Sequence, residues 1–357
     1  LGIPWCAYTA PNDTLNDIQT SGEYLVYAIR TEYALAGRPI AVMGHSQGGM
    51  SMRWPLRFWP DTRAMVADVI GFSGSNHGTT AIGASCATVG CPAADWQQAY
   101  QSPFIQALNS EAETFPGIAY TEIWTHTDEV VDPNGSAAVA SAALHTGGGA
   151  ITDVATQQLC PADVYEHLTV GTIDPVTYAL AVDALTHPGP ANLARVKAEE
   201  PNLCSQLYMP GVNPANVNMY LQILSAAPGL LSVVLGPLAT AVSGAPVLRS
   251  APPLECYVDA ACTGAAAPQL LLRFLDRPRH PRAGRITRVQ VQVRAREGDA
   301  LLPVSGVRVS FGGRALYTGP QGTAAFAVRL GRAGRYRLSA RRPGCDPTGG
   351  SITVQRR

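Results

Sequence analysis

A serine, a carboxylate and a histidine, met in that order along a chain, are the parts of an acyl-transfer site. Ser46 sits at the centre of Gly44-His45-Ser46-Gln47-Gly48, which fits the Gly-x-Ser-x-Gly nucleophile elbow. A serine hydroxyl is a poor nucleophile at its own pKa, so a histidine must take its proton and an acid must orient that histidine. The acid is expected downstream, in a loop just after a strand. Asp128 has that position, with Glu129 and Asp132 as competitors. Beyond Asp128 stand His145, His167, His187 and His280. His280 is in the wrong part of the chain, His187 follows a helix end and suits a cap, and His145 precedes a glycine run. His167 lies in a loop before a helix and is the expected base. His45 adjoins the nucleophile and cannot turn back to serve it, so it is expected under the elbow or in the pocket wall. The backbone N–H of Gln47 is the expected oxyanion donor.

These residues need a strand-and-helix frame. The apolar run 40–43, bounded by Gly37, Pro39 and Gly44, predicts a strand buried on both faces of a parallel sheet. Met50, Trp54 and Phe58 recur at helical spacing after the elbow, and Pro55 predicts a kink or an early end. Upstream, Thr14 or Asn16 is expected to cap a helix running to about residue 36 and closed by Gly37. A helical turn restarts at Pro60-Asp61. Residues 69–73 predict a strand, followed at 75–80 by a polar loop where ligands collect in parallel sheets. Residues 81–95 carry little regular pattern and read as a cover over a site or a plain loop. Strands are expected at 118–125 and 150–156, and Asp174-Pro175 opens a helix to about residue 185. Strands alternating with helices give an α/β fold with a parallel sheet.

The 357 residues carry no net charge, but the charge is unevenly placed. Residues 268–357 hold 18 Arg against 4 acids, and residues 1–267 hold 8 basic against 22 acidic residues. Alternating patterns at 286–294, 307–311 and 336–340, with shorter runs at 315–318, 324–330 and 351–354, predict a small antiparallel β-sandwich. The expected division is 1–262, a linker at 263–284, and the basic β domain at 285–357. That domain is expected to meet an anionic surface or glycan, with a solubility spacer as the plainer alternative. No nucleic acid partner is expected. Residues 201–248 are free of charge. Pro228, Gly229, Gly236 and Pro237 interrupt the stretch, so two apolar helices over an active-site mouth are expected rather than a transmembrane helix.

Eight cysteines without C-x-x-C or zinc-ligand spacing favour disulfides and an extracellular setting. Cys86 with Cys91 and Cys256 with Cys262 are close enough in sequence to be local staples. No metal and no cofactor is implied. Leu1 opens the chain without Met or a charged stretch leading into an apolar run, so a signal peptide is expected to lie outside these residues.

Several short strings, in order, make residues 1 to about 186 resemble the lipase B family of Candida antarctica, α/β-hydrolases acting on esters. They are Leu15-Asn16-Asp17, Ser46-Gln47-Gly48-Gly49, Trp96-Gln97-Gln98, Thr127-Asp128-Glu129-Val130-Val131, and His167 preceded by an acidic residue. The resemblance implies Ser46 as nucleophile, Gln47 at the oxyanion hole, Asp128 and His167 as partners, and a Cys160–Cys204 disulfide around the histidine loop. Two features depart from the family: His45 replaces its usual tryptophan, and the basic β domain is an addition similar to prealbumin-like and Ig-like modules. The resemblance also starts partway into the family pattern. An α/β-hydrolase sheet lacking its first strands is therefore expected, without the upstream oxyanion donor, poorly soluble and weakly active. Cys6 is expected to lack its natural partner, with Cys345 as the other leftover thiol. The function so implied is a secreted lipase-type serine ester hydrolase working through an acyl-enzyme. The alternatives are an acyltransferase using the same triad, or a surface- or polymer-binding protein with a degenerate hydrolase body.

Overall fold

The computed structural model describes residues 2–10, 14–218, 245–258, 270–297, 300–304, 306–319, 321–342, 345 and 347–356. Most of the charge-free stretch, and Cys262 with its expected bond to Cys256, lie outside the described residues. No described helix is long and apolar enough to cross a membrane. The chain divides into two units, one taking in Leu1–Leu25 and Ile29–Leu254, the other Glu255–Arg357 with Val26–Ala28.

The first unit is built on a parallel sheet of β1 (Ile40–His45), β2 (Val66–Phe72), β3 (Ala119–Trp124) and β4 (Ala150–Ala155), in that spatial order. Helix α1 (Ile18–Ala36) precedes β1. Its N-cap is Asp17, whose carboxylate accepts from Gln19 N, and Gly37 closes it in the left-handed region at φ 65°. The elbow helix is broken in two, α2 (Gln47–Ser51) and α3 (Arg53–Phe58). Pro55 explains the break one turn upstream of itself. It gives no N–H to Ser51, and its ring crowds the carbonyl of that residue four positions back. A 3₁₀ turn, Pro60–Met65, then leads into β2.

Three short helices, α4 (Gly83–Val89), α5 (Ala93–Gln98) and α6 (Pro103–Asn109), connect β2 to β3. The stretch 81–95 is therefore largely helical. Helices of seven and six residues, built mostly of small side chains, are too short to show a helical period in the sequence. After β4 come α7 (His167–Val170), α8 (Pro175–Thr186) and α9 (Leu193–Glu199). Asp174 caps α8 through the N–H groups of Val176 and Thr177, with Pro175 at its first position.

Alternation along the strands builds two cores. Ile70, Ile123 and Val154 pack against Val176 and Leu180 of α8. Val69, Ile118 and Tyr120 point the other way, against Ile29 of α1 and Met52 and Leu56 of the elbow helices. The strand β1 is not buried on both faces as expected. It stands at the end of the sheet, α8 covers β2 and β3, and Met43 is 47% exposed.

The second unit holds two antiparallel sheets, the packing arrangement of a β-sandwich. One runs β10 (Thr323–Arg329), β6 (Ile286–Glu297), β5 (Leu270–Asp276), with β7 (Ala300–Pro303) also on β6. The other runs β12 (Thr348–Val354), β11 (Gly334–Arg341), β8 (Arg308–Phe311), β9 (Arg314–Tyr317). Val289, Val291, Val293, Phe311, Phe326 and Leu338 share one core. Within the stretch 263–284, read from sequence as a linker, β5 pairs with β6, with Leu270 fully buried. Its continuous apolar run, Leu270-Leu271-Leu272, hides the two-residue period that marks the other strands.

Candidate active site

The elbow follows directly from the glycines around it. Ser46 has φ 57° and ψ −127°, a left-handed conformation that a β-carbon resists and that costs roughly 1–3 kcal/mol. Its N–H donates to the Phe72 carbonyl at 2.8 Å, which ties the turn to the end of β2. A β-carbon on Gly44 would lie 2.3 Å from the carbonyl carbon of Gly48. Only glycine there lets the helix leave so close beside the strand.

Ser46, Asp128 and His167 come together from the carboxyl side of three strands. Ser46 follows β1, Asp128 follows β3, and His167 opens α7 in the segment after β4. His167 Nδ1 lies 2.9 Å from Asp128 Oδ2, and its Nε2 lies 2.9 Å from Ser46 Oγ. The carboxylate accepts from Nδ1–H, which leaves Nε2 to accept from the serine hydroxyl. Asp128 is buried, which by itself would raise its pKa. The hydrogen bond and charge of His167 and the N–H of Val131 overcome this and hold it below the ordinary carboxylate range. Its Oδ1 accepts from Val130 N at 2.9 Å and from Val131 N at 2.8 Å.

The two competing acids have other duties. Glu129 Oε2 accepts from the His167 N–H at 3.3 Å. Asp132 Oδ2 accepts from the Thr80 hydroxyl at 2.6 Å. The other histidines are likewise engaged elsewhere. His145 stacks on His77 at 5.1 Å, His187 ends α8, and His280 lies in the second unit.

The histidine loop is anchored at several points. Glu166 caps α7, its Oε2 accepting from Leu168 N at 2.9 Å and its Oε1 from Thr169 N at 3.0 Å. The Thr127 hydroxyl donates to the Tyr165 carbonyl at 2.7 Å, joining the acid loop to the histidine loop. The Cys160–Cys204 disulfide closes the segment that contains His167. Of these, only the cysteines were singled out from sequence as anchors. Thr127 acts on a loop 38 residues away, whereas Glu166 caps its own helix through N–H groups two and three residues on.

His45 lies against His167 rather than away from it. Its ring is 4.8 Å from that of His167, and its Nε2–H donates to the His167 carbonyl at 2.7 Å. Burial, with the neighbouring His167, lowers its pKa to about 4, so the ring is neutral near pH 7. A β-carbon on Gly171 would meet His45 Cδ2 at 2.6 Å. The histidine thus fills space that a glycine keeps open.

Gln47 is braced by its side chain. Its Nε2 donates to the Thr14 carbonyl at 3.0 Å, and its Oε1 accepts from Gln98 Nε2 at 3.1 Å. Gln98 Oε1 in turn accepts from the Ser75 hydroxyl at 2.9 Å. The polar loop 75–80, expected to gather ligand, is instead mostly absorbed into the scaffold. Asn76 Nδ2 donates to the Ala142 carbonyl at 2.7 Å, and Thr79 Oγ1 donates to the Val130 carbonyl at 2.6 Å.

Below the site Arg53, 2% exposed, donates to the Glu113 carbonyl, Asn76 Oδ1 and Asn109 Oδ1 at 3.2, 3.1 and 2.8 Å. Burial would raise Glu113, but the bonds from His77 and the His145 N–H and the charge of Arg53 bring it down to about 2. Among the described residues Asp183, His187 and Glu199 offer atoms within 4.8 Å of one another for a cation. Arg195 already occupies Asp183, at 2.5 and 2.6 Å from its two oxygens.

No family model matches the chain. It is 33% identical over 134 residues to lipase B of Pseudozyma antarctica, a match covering 37% of this chain and 39% of that lipase. The chain thus spans about two fifths of the length of this curated relative. It is also similar to the crystal structure of lipase B from Aspergillus fumigatus, with 30% identity and a TM-score of 0.59 over 70% of this chain and 58% of that one. The parallel-sheet unit has the α/β-hydrolase fold of these lipases.

Proposed function

We propose that the chain is a lipase-type serine hydrolase that cleaves carboxylic esters through an acyl-enzyme. The observation that carries this reading is the unbroken line Ser46 Oγ, His167, Asp128, with both links at 2.9 Å. Ser46 Oγ attacks the ester carbonyl while His167 Nε2 takes its proton. Asp128 keeps the Nδ1–H tautomer in place and stabilises the imidazolium that forms. The N–H of Gln47 faces the developing oxyanion at the start of α2, and the Gln47 and Gln98 side chains hold that turn steady. The imidazolium then protonates the departing alcohol. Water, activated by the same nitrogen, attacks the acyl-serine, and the carboxylate product leaves.

The disulfides support an extracellular site of action for this enzyme, since such bonds persist in oxidising compartments. The test is a series of p-nitrophenyl esters from acetate to palmitate, with the whole chain and with Ser46→Ala. Turnover that falls by about three orders of magnitude or more in Ser46→Ala supports the reading. Turnover equal in the two proteins removes it.

A further inference from the structure

The hydrolytic reading leaves one strongly charged surface unused, the outer face of the sheet β12-β11-β8-β9. From Gly306 onward the sequence holds ten arginines and a single acid, Asp346. Strand alternation sorts them. Leu338 and Ala340 of β11 are buried, so Arg335, Arg337, Ser339 and Arg341 stand on the other face. Register places Ser310 opposite Ser339, Arg308 opposite Arg341, and Ser351 opposite Arg337. At ~3.4 Å per residue, the arginine file along β11 extends over about 20 Å. Short hydroxyl side chains form its floor.

Within it is a shallow notch of about 350 Å³ whose polar lining is Arg308, Ser310, Arg314, Arg337 and Ser339, closed by the Phe311–Ala315 turn. No salt bridge among the described residues engages these arginines. Their hydrogen bonds go to neutral hydroxyls, Arg308 Nη1 to Ser310 Oγ at 3.0 Å and Arg335 Nε to Ser351 Oγ at 2.8 Å.

We propose that this face binds an extended anionic polysaccharide whose charges are carboxylates, a polyuronate. Guanidinium forks take planar carboxylates through paired hydrogen bonds, and Ser310, Ser339 and Ser351 suit the hydroxyls of sugar rings. A linear file of arginines matches a linear array of charges. Strands β8, β11 and β12 turn no large apolar side chain outward, and only Tyr317 and Leu316 of the edge strand β9 add apolar surface, too little to anchor the face in a bilayer. It also lacks the row of aromatic rings on which single-stranded nucleic acid bases stack.

The experiment measures binding of the full chain to polygalacturonate by affinity electrophoresis and calorimetry, in about 50 mM and about 500 mM salt, where screening differs severalfold. The unaltered chain is expected to bind the polymer, at least tenfold more weakly at the higher salt, and not to bind its fully methyl-esterified form. R308Q/R337Q is expected to weaken binding at least tenfold, and R308K/R337K, which keeps the charge but loses the fork, about threefold. R273Q/R288Q, on the other sheet, is expected to stay within about twofold. The proposal is overturned by no binding in low salt, by equal losses in R308Q/R337Q and R273Q/R288Q, or by tighter binding to phosphatidylglycerol vesicles or to a single-stranded oligonucleotide. Unchanged melting temperatures of the variants attribute the losses to the face itself.

Discussion

The Nε2–H of His45 donates to the main-chain carbonyl of His167 at 2.7 Å, so the residue before the elbow serine holds the backbone of the residue that bonds to it. The distance between Ser46 and His167 is thereby set from both sides. One side is the hydrogen bond between them, and the other is this strap behind it.

The strap predicts the behaviour of His45 and Gly171. His45→Ala is expected to lower kcat by about 10- to 100-fold with KM little changed, because small misplacement of a base is costly. Gly171→Ala is expected to do the same without touching the triad, since its β-carbon would press on the His45 ring 2.6 Å away. Steady-state kinetics on a single ester checks both. Unaltered kcat in Gly171→Ala would show that the ring has room to move.

Asp128, rather than its acidic neighbours, is expected to orient the base. Asp128→Asn is expected to cost about 10³- to 10⁴-fold in kcat, as loss of the correct histidine tautomer does elsewhere. Asp132→Asn is expected to cost less than about tenfold, because its carboxylate meets Thr80 and not His167. Single-turnover measurements of acylation in both variants decide it. A larger loss in Asp132→Asn would move the acid assignment.

The Cys160–Cys204 bond bridges 44 residues of sequence that include His167. Loop-closure entropy assigns such a bond about 4 kcal/mol. The double variant C160S/C204S is expected to melt markedly lower and to lose ester turnover well below its melting temperature. Differential scanning calorimetry beside an activity-temperature curve tests this. Coincident thermal and activity losses would mean that the bond steadies the whole unit and not the histidine loop in particular.

Buried acids predict the pH dependence of stability. Burial pushes Asp95 up to about 7, and one of its oxygens has no hydrogen-bond partner. Burial also raises Glu122, whose two oxygens both lack one. The folded state keeps the Asp95 proton at pH values where the unfolded chain, near 3.8, has lost it. Stability is therefore expected to fall as pH rises from about 4 through about 7. His45 acts in the opposite sense, so the variant comparison isolates the acid. Asp95→Asn is expected to match the parent protein at pH 4 and to melt higher at pH 8. Equal melting temperatures at pH 8 would mean that Asp95 ionises without cost.

What was readable from the sequence shares a physical basis. The elbow, the Gly37 helix end and the Asp174-Pro175 start are local signals, decided within four residues by backbone sterics and capping, whereas the first helix is capped by Asp17 and not by Thr14 or Asn16 as expected. Chain order brought Asp128 and His167 into consideration, and the structure places both beside Ser46. The rest depends on partners far along the chain. Met43 reads as a buried strand residue, yet its exposure is decided by where α8 lies. Leu270–Asp276 reads as linker because its pairing partner fixes its period. Thr127 and Arg53 carry no local signal, and their acceptors sit 38 and 60 residues away.

Arg53 has a consequence for how the first unit opens. A guanidinium cannot give up its proton, and each of its N–H groups needs an acceptor. Here the acceptors come from the loop after β2, the end of α6 and the approach to β3. Lifting any one of these segments alone strands a buried cationic donor, at a cost of about 1–3 kcal/mol per lost bond. The three segments should therefore come apart together, as one cooperative block, and amide exchange around Asn76, Asn109 and Glu113 should share a single protection factor.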